Sequence, residues 1–122
     1  MKRMIKMNNE RIFRIPFATV YDLLVQKALR KNRTQEEVDQ VISWLTGYSI
    51  PEIREKCLQQ VDYRTFWENA PIINPNASKI TGVICGYRVE EITDPLMQKV
   101  RWLDKLIDEL AKGRPLEKIM RK

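Results

Sequence analysis

The chain contains no histidine. That removes the imidazole general base, the Ser-His and Cys-His nucleophile pairs, and the commonest protein metal ligand. Any catalysis would fall to carboxylates, lysine, tyrosine or a thiol. Cysteine is almost as scarce. Cys57 and Cys85 lie 28 residues apart, and without histidine that pair makes no zinc site. No stretch approaches the ~20 apolar residues needed to span a bilayer. The start MKRMIKMNNER is basic and polar, with no apolar run of signal-peptide length behind it. The expectation is a cytoplasmic protein with free thiols and no membrane segment.

Glycine is rare too, with four in 122 residues, and two of them fall in KITGVICGYR (79–88). A dinucleotide loop needs G-x-G-x-x-G between strand and helix, and a P-loop needs G-x-x-x-x-G-K-[ST]. GVICG has neither spacing. Gly82 and Gly86 are therefore read as points where the backbone turns or a neighbour comes close. Docking of a ligand or partner on this segment is the alternative.

What is present is ample for one domain, with 43% apolar and 31% charged residues. A chain of this size buries roughly two thirds of its unfolded surface, so it needs no metal or disulfide staple. The net charge of +6 is uneven. Residues 1–33 carry nine Lys/Arg against two acids, 34–72 three against seven, and 73–122 ten against seven. Basic ends can meet an anionic partner such as nucleic acid, or be plain solvated surface.

Hydrophobic spacing predicts a mainly α protein. RIFRIPF (11–17) alternates and is read as a short extended arm. Pro16 then opens a helix with Phe17, Tyr21, Leu24 and Ala28 on one stripe and Lys27, Arg30, Lys31 and Arg33 at its end. TQEE has capping-box spacing from Thr34 to Glu37. Val38, Val41, Ile42 and Leu45 follow at i, i+3, i+4, i+7, and Gly47 closes the helix. SIPE repeats the cap with Ser49 and Glu52. Asp62 caps a short helix that delivers Phe66 and Trp67. PIINPNASK is a loop. Residues 83–89 carry a weak period-two signal, with RIFRI as the available strand partner, so β structure should be accessory. The strongest helix is TDPLMQKVRWLDKLIDELAKG, capped by Asp94 or Thr93 and ended at Gly113. Leu96, Val100, Leu103, Ile107 and Leu110 form its stripe, which Met97, Trp102 and Leu106 widen. It should be the spine of the core, with Trp44, Trp67 and Trp102 mostly buried.

The reactive residue types have structural explanations at hand. Cys57 and Cys85 are expected as small core residues, although a cation such as Arg88 near Cys85 is one ingredient of a reactive thiol. Asp104, Asp108 and Glu109, interleaved with Lys105 and Lys112, look like an exposed, salt-bridged helix face. TQEEVDQVISWLTGYSIPEIREKCLQ has a helix-turn-helix outline. Its first helix is acidic and its second neutral, a poor groove reader.

At RIFRIPFATVYDLLVQKA, RTQEEVDQVISWLTGYS and GVICGYRVEEITDPLMQKVRWLDKLIDELAKG, the sequence resembles a bacterial family catalogued as domain of unknown function 2200. The similarity runs from about Arg11 to Arg121, with WLTGY and DPLM…LDKLIDELAKG as its most specific blocks. It implies a small orthogonal helical bundle and carries over no activity and no catalytic residues. The family pattern begins near RIF, so translation from Met7 rather than Met1 is an open alternative. The expected layout is a flexible basic arm at 1–10 and one helical domain at 11–122, with one short accessory hairpin or strand pair. The expected function is a binding or assembly module that takes a protein partner or a second copy. No catalytic residue, cofactor or metal is expected. Tyr48, Tyr87 and Arg88 are the candidate binding residues, because glycine-adjacent aromatic and Arg side chains often anchor recognition. The alternative is nucleic-acid binding through the basic ends, with Lys27, Arg30, Lys31 and Arg33 as contacts.

Overall fold

The computed structural model describes residues 10–122. The expected arm at 1–10 lies outside them, apart from Glu10. Residues 10–14 are helical, which corrects the reading of RIFRI as extended. A short alternating run fits a strand or a helix turn equally well. Tertiary contacts decide it here: Phe13 is buried under the Arg64 guanidinium, 4.8 Å from its ring centre. Pro16 then interrupts the helix, and Pro16 and Asp62 form an isolated antiparallel bridge. The Phe17 N–H donates to the Val61 carbonyl at 2.8 Å, and the Tyr63 N–H to that of Ile15 at 2.8 Å.

Four helices then follow: α1 (Phe17–Leu29), α2 (Gln35–Thr46), α3 (Ile50–Leu58) and α4 (Tyr63–Glu68). The caps are those the spacing predicts. Thr34 and Glu37 form one capping box, Ser49 and Glu52 another, and the Asp62 carboxylate accepts from the Thr65 N–H at 2.7 Å. Each satisfies backbone donors that a helix start leaves open. Gly47 ends α2 at φ +79°. A Cβ there would lie 2.8 Å from an Ile72 side-chain carbon. Glycine thus supplies both the left-handed turn and the close approach. That approach lets the Ile72 and Asn74 N–H groups donate to the Thr46 and Leu45 carbonyls.

After a 3-10 turn (Pro75–Lys79) comes a hairpin of β1 (Val83–Ile84) and β2 (Tyr87–Arg88). It pairs antiparallel in the register Val83↔Arg88 and Ile84↔Tyr87. Its partner strand is local, not RIFRI. Cys85 and Gly86 make the two-residue turn at φ +53° and +82°, the primed geometry that matches strand twist. A second 3-10 turn (Val89–Glu91) leads to α5 (Pro95–Ala111), and α6 (Leu116–Ile119) closes the chain. The fold is mainly α with one small hairpin.

The long helix α5 is the spine. It packs on α1, α2, α4, α6, β1 and the second 3-10 turn. Leu103, Leu106, Ile107 and Leu110 are fully buried on it. Phe17 and Phe66 stack at the centre, 3.8 Å apart and within 7° of parallel. Trp67 is buried; Trp44 and Trp102 keep some exposure but pack against the core, so the expectation of mostly buried indoles holds for them too. Each sits beside a stripe position rather than on it, and an indole is too large to vanish from such an edge.

Buried charge is the larger surprise. Glu109 is 7% exposed and receives a two-pronged bond from Arg121 at 2.7 and 2.9 Å, with Arg114 at 3.3 Å. Asp108 pairs with Lys112 and with Lys27. Asp104 pairs with Arg101 at 2.9 Å. These acids are salt-bridged as expected, but buried or half-buried rather than exposed. Their cations come from α1 and the C-terminal segment as well as from α5 itself. In the same way Asp39, 1% exposed, is held by Arg54 at 2.6 Å and by the Tyr21 hydroxyl at 2.6 Å, joining α2, α3 and α1. Among the described residues, no helix is long and apolar enough to cross a membrane.

Candidate functional site

The hairpin is pinned onto α5 by polar side chains. Lys105 donates to the Val83 carbonyl at 3.3 Å, Gln98 to the Val89 carbonyl at 3.1 Å, and Arg101 to the Cys85 sulfur at 3.3 Å. The Gly82 N–H donates to the Glu90 carboxylate at 3.0 Å and the Val89 N–H to the Gly82 carbonyl at 2.9 Å. Glu90's own backbone N–H and that of Gly82 hold its carboxyl below the ordinary range. Ile80 and Val89 are the buried apolar anchors on either side of the hairpin.

Between β2 and the start of α5 lies a surface cavity of about 350 Å³. Its lining comes from Tyr87 and Arg88 of β2, from Glu91 to Asp94, and from Met97 and Arg101 of α5. Asp94, Met97 and Arg101 share a helix face, because spacings of three and four residues return to the same side. The Asp94 carboxylate also caps α5 by accepting from the Leu96 N–H at 3.3 Å. Arg88 pairs with Glu90 at 3.1 Å, and Arg101 with Asp104. Burial raises the Asp104 carboxyl above its ordinary value even though Arg101 opposes the shift.

The candidate binding residues divide. Tyr87 is 45% exposed and, with Arg88, lines the cavity. Tyr48 is buried at 2%, so its placement on a shared surface is corrected. Its hydroxyl donates to the Phe66 carbonyl at 2.7 Å, and burial, with Glu52 nearby, pushes its pKa to about 12. That carbonyl lies 18 residues ahead and leaves no trace near position 48. Of the four cations at the end of α1, Lys27 pairs with Asp108. Arg33 pairs with Glu37 at 2.7 Å and donates to the Leu110 and Arg114 carbonyls. Arg30 and Lys31 are exposed.

Cys85 is exposed at the hairpin tip, which corrects the expectation of a core residue, whereas Cys57 is half-buried and packs against the core as expected. The turn geometry puts the Cys85 side chain outside, whereas burial pushes the Cys57 thiol up in pKa. Among the described residues, no group of three or more Cys, Asp or Glu side chains is placed to hold a metal. Sequence reasoning missed Arg101 and treated Asp94 and Met97 as cap and core alone. The signal for all three was their common helix face directly after the hairpin.

No curated protein matches the chain. The solved crystal structure of the uncharacterized protein SP1917 is similar at 44% identity, over 91% of this chain and 91% of that chain, with a TM-score of 0.88. A family model described as "Uncharacterized protein conserved in bacteria (DUF2200)" matches residues 11–121. The resemblance carried by WLTGY and the α5 block therefore holds over nearly the whole length, and the chain belongs to the DUF2200 family.

Proposed function

We propose that the protein is a cytoplasmic binding module whose docking site is the cavity between β2 and α5. One observation carries this reading: an exposed Tyr87 and Arg88 wall a recess on a hairpin pinned to the core's spine. Aromatic and Arg side chains set around a pocket are the usual anchors of recognition. The partner is another protein rather than a substrate. The carboxylates of α5 support this, since Asp104, Asp108 and Glu109 are each taken up by Lys or Arg.

The test is site-specific photo-crosslinking from position 87 of the full chain in its host cytoplasm. Affinity for the crosslinked partner is then measured with Tyr87→Ala and Arg88→Ala. Losing an anchor should weaken binding about tenfold or more. Unchanged affinity in both variants would remove the cavity from the binding surface. Nucleic-acid binding through Arg30 and Lys31 is the competing outcome, recognised by a steep loss of affinity with salt.

A further inference from the structure

We infer that the cavity beside Tyr87 takes a lysine or arginine side chain of the protein partner. The inference rests on the docking reading above and adds the sign of the charge that docks.

Four charged side chains line the cavity, two of each sign, and their surroundings differ. The Arg101 guanidinium lies 2.9 Å from Asp104, and the Arg88 guanidinium 3.1 Å from Glu90. Each cation thus has a carboxylate beside it. Glu91 and Asp94 are exposed, and the ion pairs formed within 4 Å among the described residues include neither. An incoming anion meets guanidinium groups that already have Glu90 or Asp104 beside them, whereas an incoming cation meets two exposed carboxylates that form no ion pair among the described residues. The remaining lining suits the rest of such a side chain. Tyr87 offers an exposed ring face, which attracts cations. Met97 and Ile92 offer apolar surface for a three- or four-carbon stem, the way long cationic side chains normally lie.

The test uses the full chain labelled with nitrogen-15 and three small probes: N-acetyl-lysine methylamide, its neutral analogue without the terminal amine, N-acetyl-norleucine methylamide, and N-acetyl-glutamate methylamide. The lysine probe should shift the amide signals of Tyr87, Glu91, Asp94 and Met97 in a saturable way. Norleucine should bind about threefold more weakly or worse, and Glu91→Gln should cost the lysine probe about threefold while the rest of the spectrum is unchanged. Equal binding of lysine and norleucine would overturn the charge assignment and leave the cavity as an apolar docking site. Shifts produced by glutamate instead would reverse the sign, again leaving the docking reading intact. No shift at these residues from any probe would overturn both. Shifts there that grow with protein concentration alone would make the occupant a second copy and overturn the assignment to a separate partner.

Discussion

The aromatic interior around Phe66 and the hairpin segment of residues 80–94 lie against the same helix, α5, but they are held differently. In the interior, Phe17, Tyr63, Phe66 and Trp67 pack ring against ring, and all four are almost fully buried. Stability there comes from apolar area and close contact, spread over many atoms. The hairpin has two residues per strand, and Val83 and Tyr87 are largely exposed. Between its two buried anchors, Ile80 and Val89, it is held by a few directional bonds from Gln98, Arg101 and Lys105. A region tied this way opens at lower free energy than a packed core. That is where a binding surface can adjust without unfolding the rest.

The largest effect expected is in the interior. Phe66→Ala should cost about 3–5 kcal/mol, and urea unfolding should show it as a lowered midpoint. Amide exchange should rise across all helices together. A rise confined to α4 would break the idea of a shared interior. Glu109→Gln comes next, at about 3 kcal/mol, because it strips a buried pair of one charge. The same urea titration reads it, and an unchanged midpoint would show that the Glu109 charge is dispensable to the pair with Arg121.

Smaller effects belong to the hairpin. Gly86→Ala meets no steric contact but places a side chain at φ +82°, a cost of about 1 kcal/mol. Cys85→Asn should act in the opposite direction by about 0.5 kcal/mol, since Asn-Gly favours this turn. Both should alter amide exchange at residues 82–89 and move the urea midpoint far less than Phe66→Ala does. A midpoint shift as large as that of Phe66→Ala would erase the contrast between the regions.

Asp104 links the two regions and gives the finest test. Burial raises its pKa above the ordinary 3.8, against Arg101 on its own helix and Lys27 from α1, with the buried Tyr63 of α4 close by. A carboxyl raised in the folded state contributes stability that is present below its ordinary pKa and lost as pH rises through the raised value. The urea midpoint of Asp104→Asn should therefore gain on the parent chain as pH rises through that window. The reverse slope would mean that pairing with Arg101 outweighs burial.

Helix starts were legible in the sequence because a cap is a contract among neighbours. Thr34 with Glu37, Ser49 with Glu52, and Asp62 with Thr65 all act within three residues. RIFRI misled because five residues cannot separate two periodicities, and its conformation depends on Arg64 and residues 61–63. At the candidate site, Tyr87 and Arg88 stood out beside a glycine turn. Arg101 did not, because its value lies in reaching Cys85 at the tip of a hairpin, 16 residues earlier. Tyr48 looked like Tyr87 on paper, and the Phe66 ring and carbonyl that receive the Tyr48 side chain separate their fates.

By itself the amino-acid order determined where the capped helices begin, which stripes are apolar and that imidazole chemistry is absent. Those are properties of nearest neighbours and of composition. Tertiary structure alone decided which charges are buried, which tyrosine faces water and that a recess opens between β2 and α5. Burial and charge pairing depend on groups brought together across the whole chain, and their energies exist only once water has been excluded between them.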